Sequence, residues 1–161
     1  KKFSKEFKKI IKTLISNLKL RNNIFVHRDF HVSNLMLVKN QIGVIDSQDA
    51  LIGNKAYDLA SLIDDVRFKT SKKLKKKIFN LYIKKQKKLE IPKIKNDFEI
   101  LSIIRNLKII GIFTRLAMRD GKKEYLKLIP YTWQLINMRI NENILFENLN
   151  NLLKKNFKNN K

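Results

Sequence analysis

Apolar positions along the chain change their spacing twice. Phe3, Phe7, Ile10, Ile11, Leu14, Ile15 and Leu18 recur at intervals of three and four, which predicts an amphipathic helix over residues 3–19. Asn22 and Asn23 break that rhythm, and three short runs of β-forming residues follow at 24–27, 35–38 and 42–45. Residues 39–41 suit a turn that pairs the last two runs as a hairpin. Helical spacing returns at Tyr57: residues 57–67 form one helix, and Leu74, Ile78, Leu81 and Leu89 mark another, before Pro92 breaks the chain. Asp97 suits the N-cap of a third helix, running through Phe98, Leu101, Ile104 and Leu107 to about Arg119, where Asp120 and Gly121 supply a stop. Helices over 123–140, with Pro130 near a helix start, and over 144–157 complete the pattern. The predicted class is α+β and mostly α: one helix, a short strand–loop–hairpin insert over 24–50, then a helical part over 57–157. The Lys/Asn-rich residues 158–161 read as a frayed tail.

Composition narrows what such a fold does. With 161 residues the chain suits one domain, or one lobe of a larger one, and at 43% hydrophobic it is too apolar to be a disordered basic tail. Its lack of cysteine removes disulfides, thiolate zinc sites and Cys nucleophiles together, and two histidines leave little for a His-based metal cluster. No stretch approaches 18 uncharged apolar residues, so no membrane span is expected. No apolar signal-type segment follows Lys1, and with the lack of cysteine this gives a cytoplasmic, reducing location as the expectation.

The formal charge is +22, from 36 Lys and Arg against 14 Asp and Glu. Nucleic-acid binding is the first thought for such a charge, through counterion release. Lys outnumbers Arg by 29 to 7, however, whereas groove and stacking readers lean on Arg and aromatics. The excess therefore reads as a solvated Lys coat, and nucleic acid is not the expected partner. Residues 29–65 are the exception. They hold Asp29, Asp46, Asp49, Asp58, Asp64 and Asp65, six of the eight aspartates, against only Lys39 and Lys55, a net −4. Short carboxylates with few cations around them suit a divalent metal such as Mg²⁺, which takes hard oxygen ligands.

The same stretch carries a spaced motif. His27-Arg28-Asp29 is followed four residues later by Asn34, and the next hairpin ends in Asp46. A loop leaving one strand can hold an acid, Asp29, against a substrate hydroxyl. Five residues on, the Asn34 amide oxygen can reach a metal, and Asp46 can supply that metal's charged oxygen. That is a way to run phosphoryl transfer, in which catalysis is mostly positioning and neutralisation of phosphate oxygens.

These residues resemble the aminoglycoside/choline-kinase-like phosphotransferases. Within them the chain looks most like the branch of anomeric N-acetylmuramate/N-acetylglucosamine kinases of cell-wall sugar recycling. The segments that carry the likeness are His27 to Met36, Gly43 to Ala50, Gly53 with Asp58-Leu59-Ala60-Ser61-Leu62, and Arg105 to Leu116 with Arg119-Asp120-Gly121-Lys122. The Leu107-Lys108 to Gly111-Ile112-Phe113 stretch is what narrows the branch.

The resemblance implies a protein-kinase-like C-terminal lobe over residues 1–157, with ATP and Mg²⁺ as cofactors and a small-molecule acceptor, an amino-sugar by that likeness. Asp29 would be the catalytic acid/base, and Asn34 and Asp46 the metal ligands. His31 and Asp49 would lie beside the acceptor, and His27, Arg28 and Asp58 would support the catalytic loop. Asp64 and Asp65 are expected to be helix-end or surface acids, and Arg105, Arg115 and Arg119 to pack with their charges snorkelled outward. A whole kinase of this kind also has an N-terminal lobe that grips the nucleotide. Gly43, Gly53, Gly111 and Gly121 form no phosphate-binding spacing, so that lobe is expected to be absent here and this chain alone to bind Mg-ATP poorly. The reading from another class is a catalytically incomplete lobe that serves as a basic nucleic-acid or protein-binding module.

Overall fold

The structure is a computed structural model and describes residues 2–141 and 143–157. Residues 158–161, expected to fray, lie outside the described residues. Two compact units are present. One is residues 19–102; the other joins the residues before 19 to those after 102.

Residues 19–102 carry all the strands found among the described residues. β1 (Ile24–Val26) pairs antiparallel with β4 (Leu51–Gly53), in the register Ile24 to Gly53 and Val26 to Leu51. β2 (Leu35–Val38) pairs with β3 (Gln41–Val44), Leu35 facing Val44 and Val38 facing Gln41. The connecting turn is two residues, Lys39 and Asn40, both with positive φ (45° and 66°), as a tight hairpin turn of matching twist requires. Gln41 is thus strand rather than turn. β4 extends the insert to residue 53, beyond the expected 50. A three-residue strand has too few alternating positions to announce itself, and only its partner defines it. Gly53 is glycine for a local reason: a Cβ there would lie 3.2 Å from the Val26 side chain across the pair and 3.0 Å from Leu51.

Three helices complete this unit. α2 (Ala56–Ile63) ends four residues short of the expected 67. α3 (Lys72–Lys84) is capped by Ser71, whose side chain accepts the Leu74 N–H at 3.2 Å. Leu89, expected on that helix, sits in a separate turn after it and is exposed. α4 (Ile91–Arg119) starts six residues before the expected cap. Pro92 lies in its first turn, where a missing N–H costs nothing, so it opens the helix instead of breaking the chain. Asp97 is therefore mid-helix and fully buried. Its carboxylate accepts the backbone N–H groups of Lys19 (2.8 Å) and Leu20 (2.9 Å) and the side-chain amides of Asn54 (2.7 Å) and Asn96 (2.9 Å).

Asp64 caps the end of α2, as the helix-end reading has it, but it and Asp65 are buried and are not surface acids. Asp64 lies 3.3 Å from the buried Lys75 Nζ and accepts the Ser102 hydroxyl at 2.5 Å. The apolar core of this unit comes from Val26, Leu59, Ile63, Val66, Ile94 and Phe98. Each such side chain contributes about 1.5–3 kcal/mol on burial. The strands contribute little to that core: Phe25 is 62% exposed and Leu37 73%.

The second unit is helical. α1 (Lys2–Ser16) packs on α6 (Glu147–Asn156), with α5 (Ile129–Ile140) and the later part of α4. Residues 123–128 are a 3-10 segment, so α5 begins at Ile129 with Pro130 in its first turn. Phe157 joins its ends, its ring 5.7 Å from Phe3 and 5.5 Å from Trp133. Arg105 is buried, while Arg119 is exposed and pairs with Asp120 at 2.6 Å. The class is the expected one, α+β and mostly helical. Among the described residues no helix is long and apolar enough to cross a membrane.

Candidate active site

The loop between β1 and β2 is held from below by one carboxylate. Asp58, in the first turn of α2, accepts the backbone N–H of His27 (2.7 Å) and of Arg28 (3.0 Å), one on each oxygen. That grip holds Arg28 at φ 71°, in the left-handed region that costs a residue with a Cβ about 1–2 kcal/mol. Asp46, in the segment facing the loop, is also left-handed, at φ 66°. Strain of this kind persists only where surrounding contacts fix the backbone.

Those contacts are visible. The buried His27 ring donates from Nε2 to the Ile45 carbonyl (2.9 Å), and Ile45 N–H donates to the Asn34 carbonyl (3.1 Å). The second bond extends the β2–β3 ladder by one pair, so Asn34 and Ile45 close the hairpin's open end and Asp46 follows directly. Arg28 donates from Nη1 to the Asp49 carbonyl at 3.2 Å, tying the loop to the chain beyond Asp46.

Asp29 stands at the centre, its side chain 44% exposed. Its Oδ2 accepts from the His31 Nε2 at 3.1 Å, with Asn34 Nδ2 at 3.5 Å. His31 is only 4% exposed, so it backs the carboxylate instead of facing solvent. Asn34 Nδ2 also donates to the Asp29 carbonyl at 2.9 Å. With its amide nitrogen engaged there, Asn34 keeps its Oδ1 without a protein donor among the described residues. The Asp46 carboxylate is likewise solvent-facing, and so is that of Asp49.

An amide oxygen and a carboxylate are hard oxygen donors and fit Mg²⁺, which completes its shell with water and substrate phosphates rather than a full protein cage. Among the described residues no group of three or more His, Cys, Asp or Glu is arranged to hold a metal.

One neighbour of Asp29 was not singled out from the sequence. Arg67, two residues past the buried Asp65, brings Nη2 to 3.9 Å from Asp29 Oδ1 and Nη1 to 3.7 Å from Asp65 Oδ1. Nothing local marks it, because 38 residues separate it from Asp29. The structure thus brings His27, Arg28, Asp29, His31, Asn34, Asp58 and Arg67 into one hydrogen-bonded or ion-paired assembly, with Asp46 at its edge. Asp49 joins only through its backbone. Arg105, Arg115 and Arg119 belong to the other unit.

The strand–loop–hairpin thus presents an acid, Asp29, an amide oxygen on Asn34 and a second carboxylate, Asp46. Residues 2–90 match the family model described as the APH phosphotransferase enzyme family, and the chain belongs to that family. It is 38% identical over 126 residues to an N-acetylmuramate/N-acetylglucosamine kinase of Neisseria meningitidis serogroup B, covering 74% of this chain and 38% of that protein. It is 35% identical over 130 residues to a kinase of the same name from Pseudomonas aeruginosa, covering 77% of this chain and again 38% of the relative. A third such kinase, from Caulobacter vibrioides, is 30% identical over 120 residues, with 71% and 33% covered. The matched segment is therefore well under half the length of these relatives.

Proposed function

We propose that the protein this chain belongs to transfers the γ-phosphoryl group of ATP to the anomeric hydroxyl of an amino-sugar, N-acetylmuramate or N-acetylglucosamine. This chain supplies its C-terminal, catalytic lobe over residues 1–157. The observation that carries the reading is the environment of Asp29: a carboxylate fixed from behind by His31, bonded to the residue that would hold the metal, and open on its outer side.

In that reaction the sugar oxygen attacks the γ-phosphorus as the bond to the β,γ-bridging oxygen breaks and ADP leaves. The hydroxyl proton passes to Asp29. A carboxylate is a weak base for this, yet a loose transition state with late proton loss asks little of it beyond position. Asn34 through Oδ1 and Asp46 through its carboxylate would hold Mg²⁺, whose charge neutralises the phosphate oxygens. Asp58 and His27 keep the loop and the Asp46 segment in place, and Asp49 offers a carboxylate to the acceptor's hydroxyls. Since ATP is the donor, the cytoplasm is the compartment this reaction needs.

The exposed apolar strands support a larger protein. Phe25, Leu37, Ile42 and Ile52 are each more than 60% exposed, and open strand edges with such faces are normally covered. The part of the relatives outside the matched segment is long enough to supply an N-terminal nucleotide-binding lobe as that cover.

The test is ADP release by the full-length protein with Mg-ATP and a panel of acceptors: both N-acetyl amino-sugars, choline and an aminoglycoside. Turnover confined to the amino-sugars is the expected result. Turnover with choline or the aminoglycoside alone would move the acceptor class, and none with any would overturn the reading.

A further inference from the structure

Arg67 is placed as a binding group, not a loop brace. Its own backbone N–H donates to Asp65 Oδ1 at 3.0 Å, a short turn anchored on a carboxylate that is 2% exposed. That anchor fixes where the side chain starts. The guanidinium then lies between two carboxylates, 3.7 Å from Asp65 and 3.9 Å from Asp29. Both separations exceed the roughly 3.2 Å limit of a normal N–H···O hydrogen bond. Arg67 is thus attracted to both acids, while none of its side-chain N–H groups makes a hydrogen bond among the described residues. The side chain is 37% exposed. A planar fork of donors, charged and held between two carboxylates with no side-chain hydrogen bond made among the described residues, suits a further carboxylate or a phosphate.

The two oxygens of Asp29 separate those ligands. Oδ2 faces His31 and Asn34, the side where the metal and the nucleotide phosphates would lie. Oδ1 faces Arg67. Arg67 therefore meets the Asp29 oxygen that His31 and Asn34 do not, and on this reading the acceptor's ring would lie on that side. N-acetylmuramate differs from N-acetylglucosamine by a lactyl ether on the third ring carbon, which ends in a carboxylate. That carbon is two from the anomeric centre, so the carboxylate is within one side chain's reach of a cation already touching the base.

We propose that Arg67 binds the lactyl carboxylate of N-acetylmuramate and makes this site prefer the acidic amino-sugar over the neutral one. The inference rests on the amino-sugar reading of the site. It adds that the two sugars are not equivalent and names the side chain that separates them.

The experiment compares steady-state kinetics of the full-length protein and its Arg67→Ala and Arg67→Lys variants with each sugar and with ATP. Expected for Arg67→Ala is a KM for N-acetylmuramate raised at least about tenfold more than that for N-acetylglucosamine, the scale of one lost charge-assisted pair. The KM for ATP stays as in the parent. Arg67→Lys keeps the charge without the fork and should recover part of the loss. Equal losses with both sugars would overturn the proposal and leave Arg67 a positioning residue for Asp29. A raised KM for ATP would overturn it in favour of a phosphate ligand. A parent protein that phosphorylates N-acetylglucosamine but not N-acetylmuramate overturns this inference alone. One that phosphorylates neither overturns the amino-sugar reading, and this inference with it. Both variants should still melt cooperatively, with Arg67→Ala melting below the parent because the buried Asp65 loses the cation 3.7 Å away, a change from which a sugar-selective KM does not follow.

Discussion

Two sets of aspartates share one acidic stretch and its neighbour helix, and they live in opposite surroundings. Asp29, Asp46 and Asp49 keep open carboxylates. Asp58, Asp64 and Asp97 spend theirs on protein donors: two loop amides for Asp58, Lys75 and Ser102 for Asp64, and four N–H groups for Asp97. The difference shows how one residue type serves both roles. A carboxylate whose oxygens are filled by the chain is a fastener, since removing it leaves buried donors unsatisfied. One with an oxygen open to solvent can take a proton or a cation from outside. One fastener adjoins the open set: Asp58 holds the backbone of His27 and Arg28, immediately ahead of Asp29.

The sharpest way to test that division is to change one member of each set and read activity and stability separately. Asp29→Asn in the full-length protein should lower kcat by at least about a hundredfold, the scale of a lost positioned acid/base, with melting temperature nearly unchanged. A comparable loss of stability would put Asp29 among the fasteners.

Lys75→Met should do the reverse. It removes the ammonium 3.3 Å from Asp64, which is 0% exposed, and about 3–5 kcal/mol of stability should go, measured by denaturant unfolding. Asp97→Ala should cost about 2–4 kcal/mol, because it leaves the Lys19 and Leu20 amides and two side-chain amides without their acceptor. A loss below 1 kcal/mol would mean that water replaces it. Ser71→Ala removes the cap of α3 and should cost about 1 kcal/mol.

The smallest effect lies at the surface. Glu90 pairs with Lys55 at 2.7 Å, and the hydrogen bond from Lys55 holds its carboxyl below the ordinary glutamate value, with the fields of Lys55, Lys87 and Lys93 adding to it. A folded value below the unfolded one means the pair's contribution is present above the unfolded pKa, about pH 4.3, and is lost as pH falls through the folded value. Lys55→Met should flatten the stability–pH curve over that acid range only slightly, since the Glu90 carboxylate is partly exposed and solvent screens the pair. A steep change would show a coupling beyond this pair. The same Glu90, with Asp58 and above all with burial, pushes the Tyr82 hydroxyl's pKa upward.

Residues 35–38 and the helices over 57–63 and 129–140 were legible because their pattern is local: alternation, 3.6 spacing, a proline in a first turn. The Asp29, Asn34 and Asp46 motif was legible because its spacing is short and rides on one loop and one hairpin. Asp97 was misread as a cap because an acid before an apolar run looks the same whether its partners are four residues away or 78. Asp64 does end α2, one of the two readings expected of it, but that it and Asp65 are buried is not legible locally, for a related reason. Burial of a charge depends on a partner such as Lys75, which itself sits in a run of lysines that otherwise belong to the solvated face of α3.

The sequence by itself determined the α+β class, the order of most elements and the short spacing of Asp29, Asn34 and Asp46, since each is written in neighbours a few positions apart. Tertiary structure decided which carboxylates are filled and which stay open. It also brought Arg67 to Asp29 across 38 residues. Those outcomes depend on where the chain returns in space, and a charged group's role is set by the groups it meets there.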